Sequence, residues 1–160
     1  MKIPLSQPDI TNKETKKVLE VLKSKTLSLG QKLPAFEKAV ADFIGVKYTV
    51  AVNSGTSALH LIMRAFDIKD GDEVITSPFS FIASANCVLF ERAKPVFVDI
   101  KSDTLNINPE LVEGSITSKT KAILVPDIFS HPADWDELKK IAKKHKLFLI
   151  EDSAESFGSL

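Results

Sequence analysis

From residue 46 onward, short unbroken apolar runs alternate with segments whose apolar residues recur at helical spacing. Short apolar runs are typical of strands buried on both faces of a parallel sheet, and the 3.6-residue spacing is typical of the helices that cover such a sheet. The predicted strands are residues 48–52, 73–76, 95–99, 121–125 and 147–150. Because strands that alternate with helices indicate right-handed βαβ crossovers, the pattern predicts an α/β fold, with a mostly parallel sheet and helices on both faces.

The N-terminal part of the chain follows a different pattern, which predicts two helices after an extended start over residues 1–10. Thr11 and Glu14 have the spacing of a capping box, which favours a helix from this point. Pro34 suits the first turn of a second helix, and Gly45 is a natural helix stop.

A chain of 160 residues is long enough for one domain with its own hydrophobic core. No internal repeat, low-complexity tract or interdomain linker interrupts it. We therefore expect one domain, or part of one, over residues 1–160. Residues 1–45 would form an N-terminal helical segment, and residues 46–160 would form the α/β core.

Charge and composition exclude several classes of partner. Lys and Arg together equal Asp and Glu at 21 each, and only two of the basic residues are arginine, so neither nucleic acid nor a membrane surface is an expected partner. The single cysteine cannot form an internal disulfide, and the sequence has no apolar signal segment or membrane-spanning run. These features predict a soluble cytoplasmic protein.

The residues most suited to chemistry follow the predicted strands, in segments 53–57, 77–81 and 152–155. The carboxyl ends of parallel strands meet at one crevice, so we expect these segments to converge. The first segment leads into a helix, and its free N–H groups, with the Thr56 and Ser57 hydroxyls, favour an anion site. It is neither a Walker loop nor a dinucleotide fingerprint, and an ordinary strand–turn–helix junction is the alternative.

Asp152 follows the buried run 147–150 directly, which places its carboxylate at the lip of the expected crevice. An acid at this position suits a cationic partner, such as a metal, a ribose hydroxyl or a protonated ring nitrogen; a helix N-cap is the alternative. In segment 77–81, Phe79 and Phe81 flank Ser80. An aromatic residue at a strand end can stack on a planar cofactor or belong to the core.

Other candidates for chemistry have simpler explanations. His131, Asp134 and Asp136 resemble metal ligands, but a capping box formed by Asp134 with Glu137 explains the acids, and no metal is expected. His60 falls within a predicted helix and is expected to be packed or capped rather than to act as a base. The sequence around Ser54 lacks the Gly-x-Ser-x-Gly elbow of serine hydrolases.

Taken in order, these segments resemble the DegT/DnrJ/EryC1/StrS family of sugar-nucleotide aminotransferases, which have the aspartate aminotransferase fold and depend on pyridoxal phosphate (PLP). The resemblance begins in the run 50–61, which contains Asn53-Ser54-Gly55-Thr56-Ser57. The remaining similar blocks are 3–6, 30–37, 71–75, 80–86, 95–100, 119–123, 131–134 and 151–155. The resemblance therefore covers essentially the whole chain and implies the large domain of a fold type I PLP enzyme.

Carried over residue by residue, the resemblance implies a cofactor site. Gly55, Thr56 and Ser57 would hold the cofactor phosphate, and Phe81 would stack on the pyridine ring. Asp152 would pair with the protonated ring nitrogen and keep the ring an electron sink.

Glu155 falls where many family members place Gln, beside the cofactor's 3-hydroxyl, although Glu also occurs there. The family's Schiff-base lysine lies well downstream of the Glu151-Asp152 block, and no lysine of this sequence is in a matching motif. Family members are also considerably longer. The sequence thus resembles the N-terminal portion of the PLP-binding large domain, with no catalytic residue of its own, and we expect it to be inactive alone.

The resemblance implies that the intact protein transfers an amino group from an amino acid, glutamate being the expected donor, to a nucleotide-linked keto sugar. Members form homodimers, so the nucleotide sugar, the amino-acid donor and a second copy are the expected partners. One alternative is a PLP-dependent sugar dehydratase of the same family, in which histidine replaces the lysine. Others are a non-catalytic truncated binding module and a generic nucleotide-binding domain, the last disfavoured by the absent glycine fingerprint.

Overall fold

The computed structural model describes residues 7–159, and these form two compact units that divide between Ala51 and Val52. The predicted extension over residues 1–10 lies largely outside the described residues; residues 7–10 belong to no helix or strand. Within the described part of the chain, no helix combines the length and the apolar character needed to cross a bilayer.

The first unit contains α1 (Asn12–Lys23) and α2 (Lys32–Ile44). The predicted capping box starts α1: Lys13 N–H donates to Thr11 Oγ1 at 3.2 Å, and Thr11 N–H donates to Glu14 Oε2 at 2.7 Å. Gly45 ends α2 in the left-handed conformation, with φ 79°, which costs glycine little. Both predicted helices are therefore confirmed.

The predicted strand at 48–52 is wrong for the described structure, because these residues form no strand. A strand requires a neighbouring strand to accept and donate its ladder hydrogen bonds. Here Glu37 of α2 takes that role: Thr49 Oγ1 donates to its carbonyl at 2.6 Å, and Ala51 N–H donates to its Oε1 at 2.9 Å. Tyr48 and Val50 are exposed.

The second unit is built on a four-stranded sheet whose pairs are all parallel, in the order β2-β1-β3-β4. Its strands are β1 (Glu73–Thr76), β2 (Lys94–Phe97), β3 (Thr120–Pro126) and β4 (Phe148–Asp152). Its helices are α3 (Gly55–Ala65), α4 (Ala83–Phe90), α5 (Pro109–Gly114) and α6 (Trp135–His145). The predicted fold class is confirmed.

Each face of the sheet has its own hydrophobic core, because successive side chains of a strand point to opposite faces. On the α3/α4 face, Val74, Leu124 and Ile150 pack in one cluster with residues such as Met63 and Cys87. The other cluster, on the α5/α6 face, consists of Ile75, Val98, Ile107, Val112, Ile123, Val125, Ala133, Leu138, Ile141 and Ala142. Helices therefore cover both faces of the sheet, as predicted.

The two caps predicted in this unit have different outcomes. The pair Asn108-Pro109 predicts a helix start, and Asn108 caps α5, with its side chain accepting from Glu110 N–H at 3.0 Å. The capping box predicted for α6 is wrong, because the Asp134 side chain makes no cap hydrogen bond. Its carboxylate instead pairs with the Lys101 ammonium at 2.6 Å, and a charged donor competes well with a backbone N–H for the same oxygen atoms.

The α5/α6 core yields a prediction for Leu138, whose side chain is fully buried there. Leu138→Ala should lower the free energy of unfolding by about 3 kcal/mol, from lost transfer energy and the cavity left behind. Lys139→Ala on the exposed side of the same helix is the matched control and should change stability by less than about 0.5 kcal/mol. Denaturant unfolding of both variants checks this, and equal midpoints would contradict it.

Candidate functional site

The carboxyl ends of β1, β3 and β4 lie at one edge of the sheet, because these strands run parallel. The loop 77–82 that leads into α4 and the turn 153–156 after β4 both start from this edge. Ligand crevices of open α/β sheets form outside such an edge. The structure thus places segments 77–81 and 152–155 on one side of the unit, as the sequence predicted.

The C-terminal end of α3 lies at the amino edge of the sheet, because Phe66, its C-cap residue, stacks on Phe148, the first residue of β4, at 4.1 Å. Glu91, just past the end of α4, contacts the C-terminal half of α3: its Oε1 lies 2.6 Å from His60 Nε2 and 3.3 Å from Arg64 Nη1. Since α4 starts from the carboxyl edge of the sheet, the N-terminus of α3 also points toward that edge. His60 is held by Glu91 and packs edge-on against Phe90, so it is packed, as predicted.

The N-terminus of α3 has the features of an anion site. Ser54 caps the helix, accepting from Ser57 N–H at 3.1 Å. The first intrahelical bond runs from Ala58 N–H to the Ser54 carbonyl at 3.1 Å, so the N–H groups of Gly55 and Thr56 precede helical pairing. A Cβ added at Gly55 would meet nothing within 4 Å, so the surface beside Gly55 is open. This end of α3 therefore suits a phosphate group.

Asp152 ends β4 and is half-buried. Its Oδ2 accepts from Ser84 Oγ at 3.3 Å, and its Oδ1 accepts from Ala154 N–H at 3.4 Å. Ser84 is buried, and its hydroxyl also lies 3.0 Å from Ser80 Oγ. Residues 154–158 form turns, so Asp152 is not a helix N-cap. Its carboxylate is oriented by the first turn of α4 and by its own turn.

Phe81 lies at the surface with 75% of its side chain exposed, so the core role considered for it is wrong. It lines a cleft of about 250 Å³ together with Glu155 and with Phe79 and Phe129, which pack edge to face at 6.2 Å. An exposed aromatic face beside a carboxylate suits a flat, polar-edged ligand. The cleft brings two of the sequence-predicted residues together.

Glu155 makes structural contacts that the sequence did not predict. Its Oε2 accepts from Phe129 N–H at 2.9 Å, and its carbonyl accepts from Ser130 Oγ at 2.8 Å. The residue therefore joins the turn after β4 to the loop after β3. Among the described residues, no hydrogen bond or ion pair joins Gly55–Ser57 to Asp152 or Glu155.

The sequence prediction missed Ser84 and Asp127. Asp127 follows the buried strand β3 as Asp152 follows β4, and this shared position was the signal that could have identified it. Ser84 lay inside a predicted helix with nothing in the local sequence to distinguish it. As for metals, the described residues contain no group of three or more His, Cys, Asp or Glu side chains that could hold one.

A comparison with protein families matches residues 8–160 to the model of the DegT/DnrJ/EryC1/StrS aminotransferase family. Among curated proteins, GDP-perosamine synthase of Escherichia coli O157:H7 is 41% identical over 98% of this chain and 43% of its own length. UDP-2-acetamido-2-deoxy-3-oxo-D-glucuronate aminotransferase of Pseudomonas aeruginosa is 39% identical over 96% of this chain and 43% of its own.

Among solved structures, Helicobacter pylori PseC, an aminotransferase involved in the biosynthesis of pseudoaminic acid, superposes with a TM-score of 0.91 at 38% identity. The superposition covers 96% of this chain and 42% of PseC. The chain thus spans about two-fifths of the length of the proteins that it resembles.

Cys87 lies close behind this site in the α3/α4 core and generates a prediction. Burial raises the pKa of its thiol to about 11, and the nearby negative charge of Asp152 adds to the shift. The thiol therefore has a higher pKa in the folded than in the unfolded protein. Its contribution to folding stability is fully present below the unfolded pKa and is lost as pH rises toward 11. Native protein at pH 8 should therefore leave Cys87 unmodified by a thiol reagent, and denatured protein should react fully. Rapid reaction of the native thiol would contradict this.

Proposed function

This chain belongs to the DegT/DnrJ/EryC1/StrS aminotransferase family, and on that premise we propose that its protein transfers an amino group from an amino acid to a nucleotide-linked keto sugar. Two observations support the proposal: a carboxylate at the edge of the sheet, and an anion site at the N-terminus of α3. The P. aeruginosa relative is by name an aminotransferase for a nucleotide-linked 3-oxo sugar. We also propose that glutamate is the amino donor and that the active protein is a homodimer.

We further propose that residues 1–160 are the N-terminal portion of the PLP-binding large domain, with a helical segment over 1–45 and the α/β core over 46–160. The coverage of about two-fifths of each relative supports this assignment. A parallel sheet with helices on both faces is the architecture of the fold type I large domain.

The family depends on pyridoxal phosphate, and the residues present fit it. When bound, this cofactor withdraws electrons from the substrate carbon that loses or gains a proton. The N–H groups of Gly55 and Thr56, with the hydroxyls of Thr56 and Ser57, would donate to its phosphate. The capped N-terminus of α3, with its open surface beside Gly55, supports this role.

Two side chains would hold the ring. The exposed face of Phe81 would pack on it and exclude water from that side. The carboxylate of Asp152 would accept the N–H of the pyridine nitrogen, and its negative charge would keep that nitrogen protonated. Ser84 restrains the rotation of this carboxylate through its hydrogen bond to Oδ2, so the acceptor is oriented before the cofactor binds.

Glu155 would lie beside the cofactor's 3-hydroxyl. Its Oε2 is already engaged by Phe129 N–H, so its Oε1 would face the ring substituent. The lysine that anchors the cofactor covalently would lie C-terminal to residue 160. A histidine at that position would make the protein a sugar dehydratase, with the same cofactor-holding residues.

The role of Asp152 is tested by Asp152→Asn in the full-length protein. Removing the charge that stabilises a protonated ring nitrogen should lower the rate of transamination by about 100-fold or more. Glu151→Gln, one residue earlier on the same strand and exposed, is the control and should retain activity. Turnover by Asp152→Asn within a few-fold of the wild type, at normal cofactor occupancy, would remove Asp152 from this role.

The position of the anchoring residue is tested by borohydride reduction of the full-length, PLP-loaded protein, followed by peptide mapping. We expect one dominant labelled lysine C-terminal to residue 160, and an absorbance band that shifts when glutamate is added. Absence of any labelled lysine, together with sugar dehydration, would favour the dehydratase. A dominant label within residues 1–160 would refute the claim that this part of the chain lacks the catalytic lysine.

A further inference from the structure

Asp127 is a buried carboxylate at the carboxyl edge of the sheet, with 3% of its surface exposed. It comes directly after β3 and begins the loop that follows this strand. Burying a charged group costs stability unless it is well hydrogen-bonded, and an apolar residue is often as stable at such a position. The acid therefore requires an explanation beyond packing.

The hydrogen bonds of Asp127 join two separate segments. Its Oδ1 accepts from Ala133 N–H at 2.8 Å, which closes the loop 127–133 after β3. Its Oδ2 accepts from Ser156 Oγ at 3.1 Å; Ser153 Oγ lies 3.4 Å from the same oxygen and contacts Glu151 Oε1 more closely. One carboxylate thus holds the loop after β3 with one oxygen and the turn 153–156 after β4 with the other.

The backbone strengthens the same connection. Asp127 N–H donates to the carbonyl of Asp152 at 3.1 Å, which continues the β3–β4 pairing up to the proposed ring-binding acid. Glu155 also joins the loop after β3 to the turn 153–156, because it accepts from Phe129 N–H. Asp152 directly precedes Ser153 and Glu155 directly precedes Ser156, so each acid is next in sequence to a residue that Asp127 contacts.

Buried hydrogen bonds hold the loop after β3 in place. Asn106 is buried, and its Nδ2 donates to the His131 carbonyl at 2.8 Å while its Oδ1 accepts from Ile128 N–H at 2.9 Å. The turn 153–156 is attached to this loop at two places: Glu155 contacts Phe129 and Ser130 at the surface, and Ser156 contacts Asp127 in the interior.

We propose that Asp127 is a positioning residue: it holds the turn 153–156 against the loop after β3, and so fixes Asp152 and Glu155 in the geometry that the cofactor requires. Asp127 touches neither cofactor nor substrate in this scheme and acts through Ser153 and Ser156. The part of the proposal that concerns the cofactor rests on the proposed function.

The test uses the full-length protein, first without cofactor, and measures amide hydrogen exchange at Ala154 and Ser156. Asp127→Ala leaves the Ser156 hydroxyl and Ala133 N–H without their acceptor, so exchange in the turn should become at least about tenfold faster. Asp127→Asn keeps an oxygen for Ala133 N–H and offers its amide to the serine hydroxyls, so it should restore most of the protection.

Glu73→Gln is the matched control. Glu73 is a buried carboxylate that accepts from Thr117 Oγ1 at 2.6 Å and from the Lys94 ammonium at 3.2 Å, but it starts β1 at the opposite edge of the sheet. Its substitution should destabilise the protein and leave exchange at Ala154 and Ser156 within about twofold of the wild type. An equal increase in both variants would show a general loss of stability and would overturn the proposal.

The second measurement is the dissociation constant of PLP, with the visible spectrum of the bound cofactor. Asp127→Ala should weaken binding at least about tenfold and shift the spectrum, because Asp152 no longer keeps its place beside the ring. Wild-type affinity and spectrum despite faster exchange would overturn the link to the site. Failure of the wild-type protein to bind PLP would instead count against the proposed function, since the exchange result does not depend on the cofactor.

If Asp127→Ala does not fold, Ser156→Ala serves in its place. It removes the hydroxyl contact to Oδ2 and retains the carboxylate with its bond to Ala133 N–H. Exchange at Ala154 and Ser156 should again become faster, by a smaller factor. Unchanged exchange in this variant would overturn the proposal.

Discussion

The parallel pairing of β3 with β1 and β4 is the constraint on which the candidate site depends. Because these strands all point the same way, the residues that follow them emerge at one edge. The 77–82 loop, Asp127 and Asp152 all leave the sheet there. A reversed strand would carry its acid to the opposite edge, away from the helix N-terminus that offers backbone donors.

The hydrophobic cores make that edge rigid. Successive residues of strand β3 pack into opposite clusters, Leu124 on the α3/α4 face and Ile123 on the α5/α6 face. A strand held on both faces cannot shift its register without moving both cores. The polar residues at the end of the strand therefore start from a fixed position, which is what a site that must orient a cofactor requires.

Buried polar contacts then set the position of each candidate side chain. Ser84 in α4 orients Asp152, and Asp127 attaches the turn that carries Glu155. Each of these contacts requires a polar atom to leave water, and the cost is offset by a hydrogen bond to a specific partner. Such contacts contribute less to stability than the cores do, but they specify geometry that apolar packing cannot.

The sequence by itself determined the alternation of strands and helices, the caps at Thr11 and Asn108, and the acid after β4, because periodicity and capping are local properties of the chain. It did not decide which partner a polar group selects. Residues 48–52 have the composition of a strand, yet Glu37 takes their hydrogen bonds; Asp134 has the spacing of a cap, yet Lys101 takes its carboxylate. The pairings of Ser84 with Asp152 and of Asp127 with Ser156 join residues 68 and 29 positions apart. Only the tertiary structure could decide these, since a hydrogen bond depends on distances that folding creates.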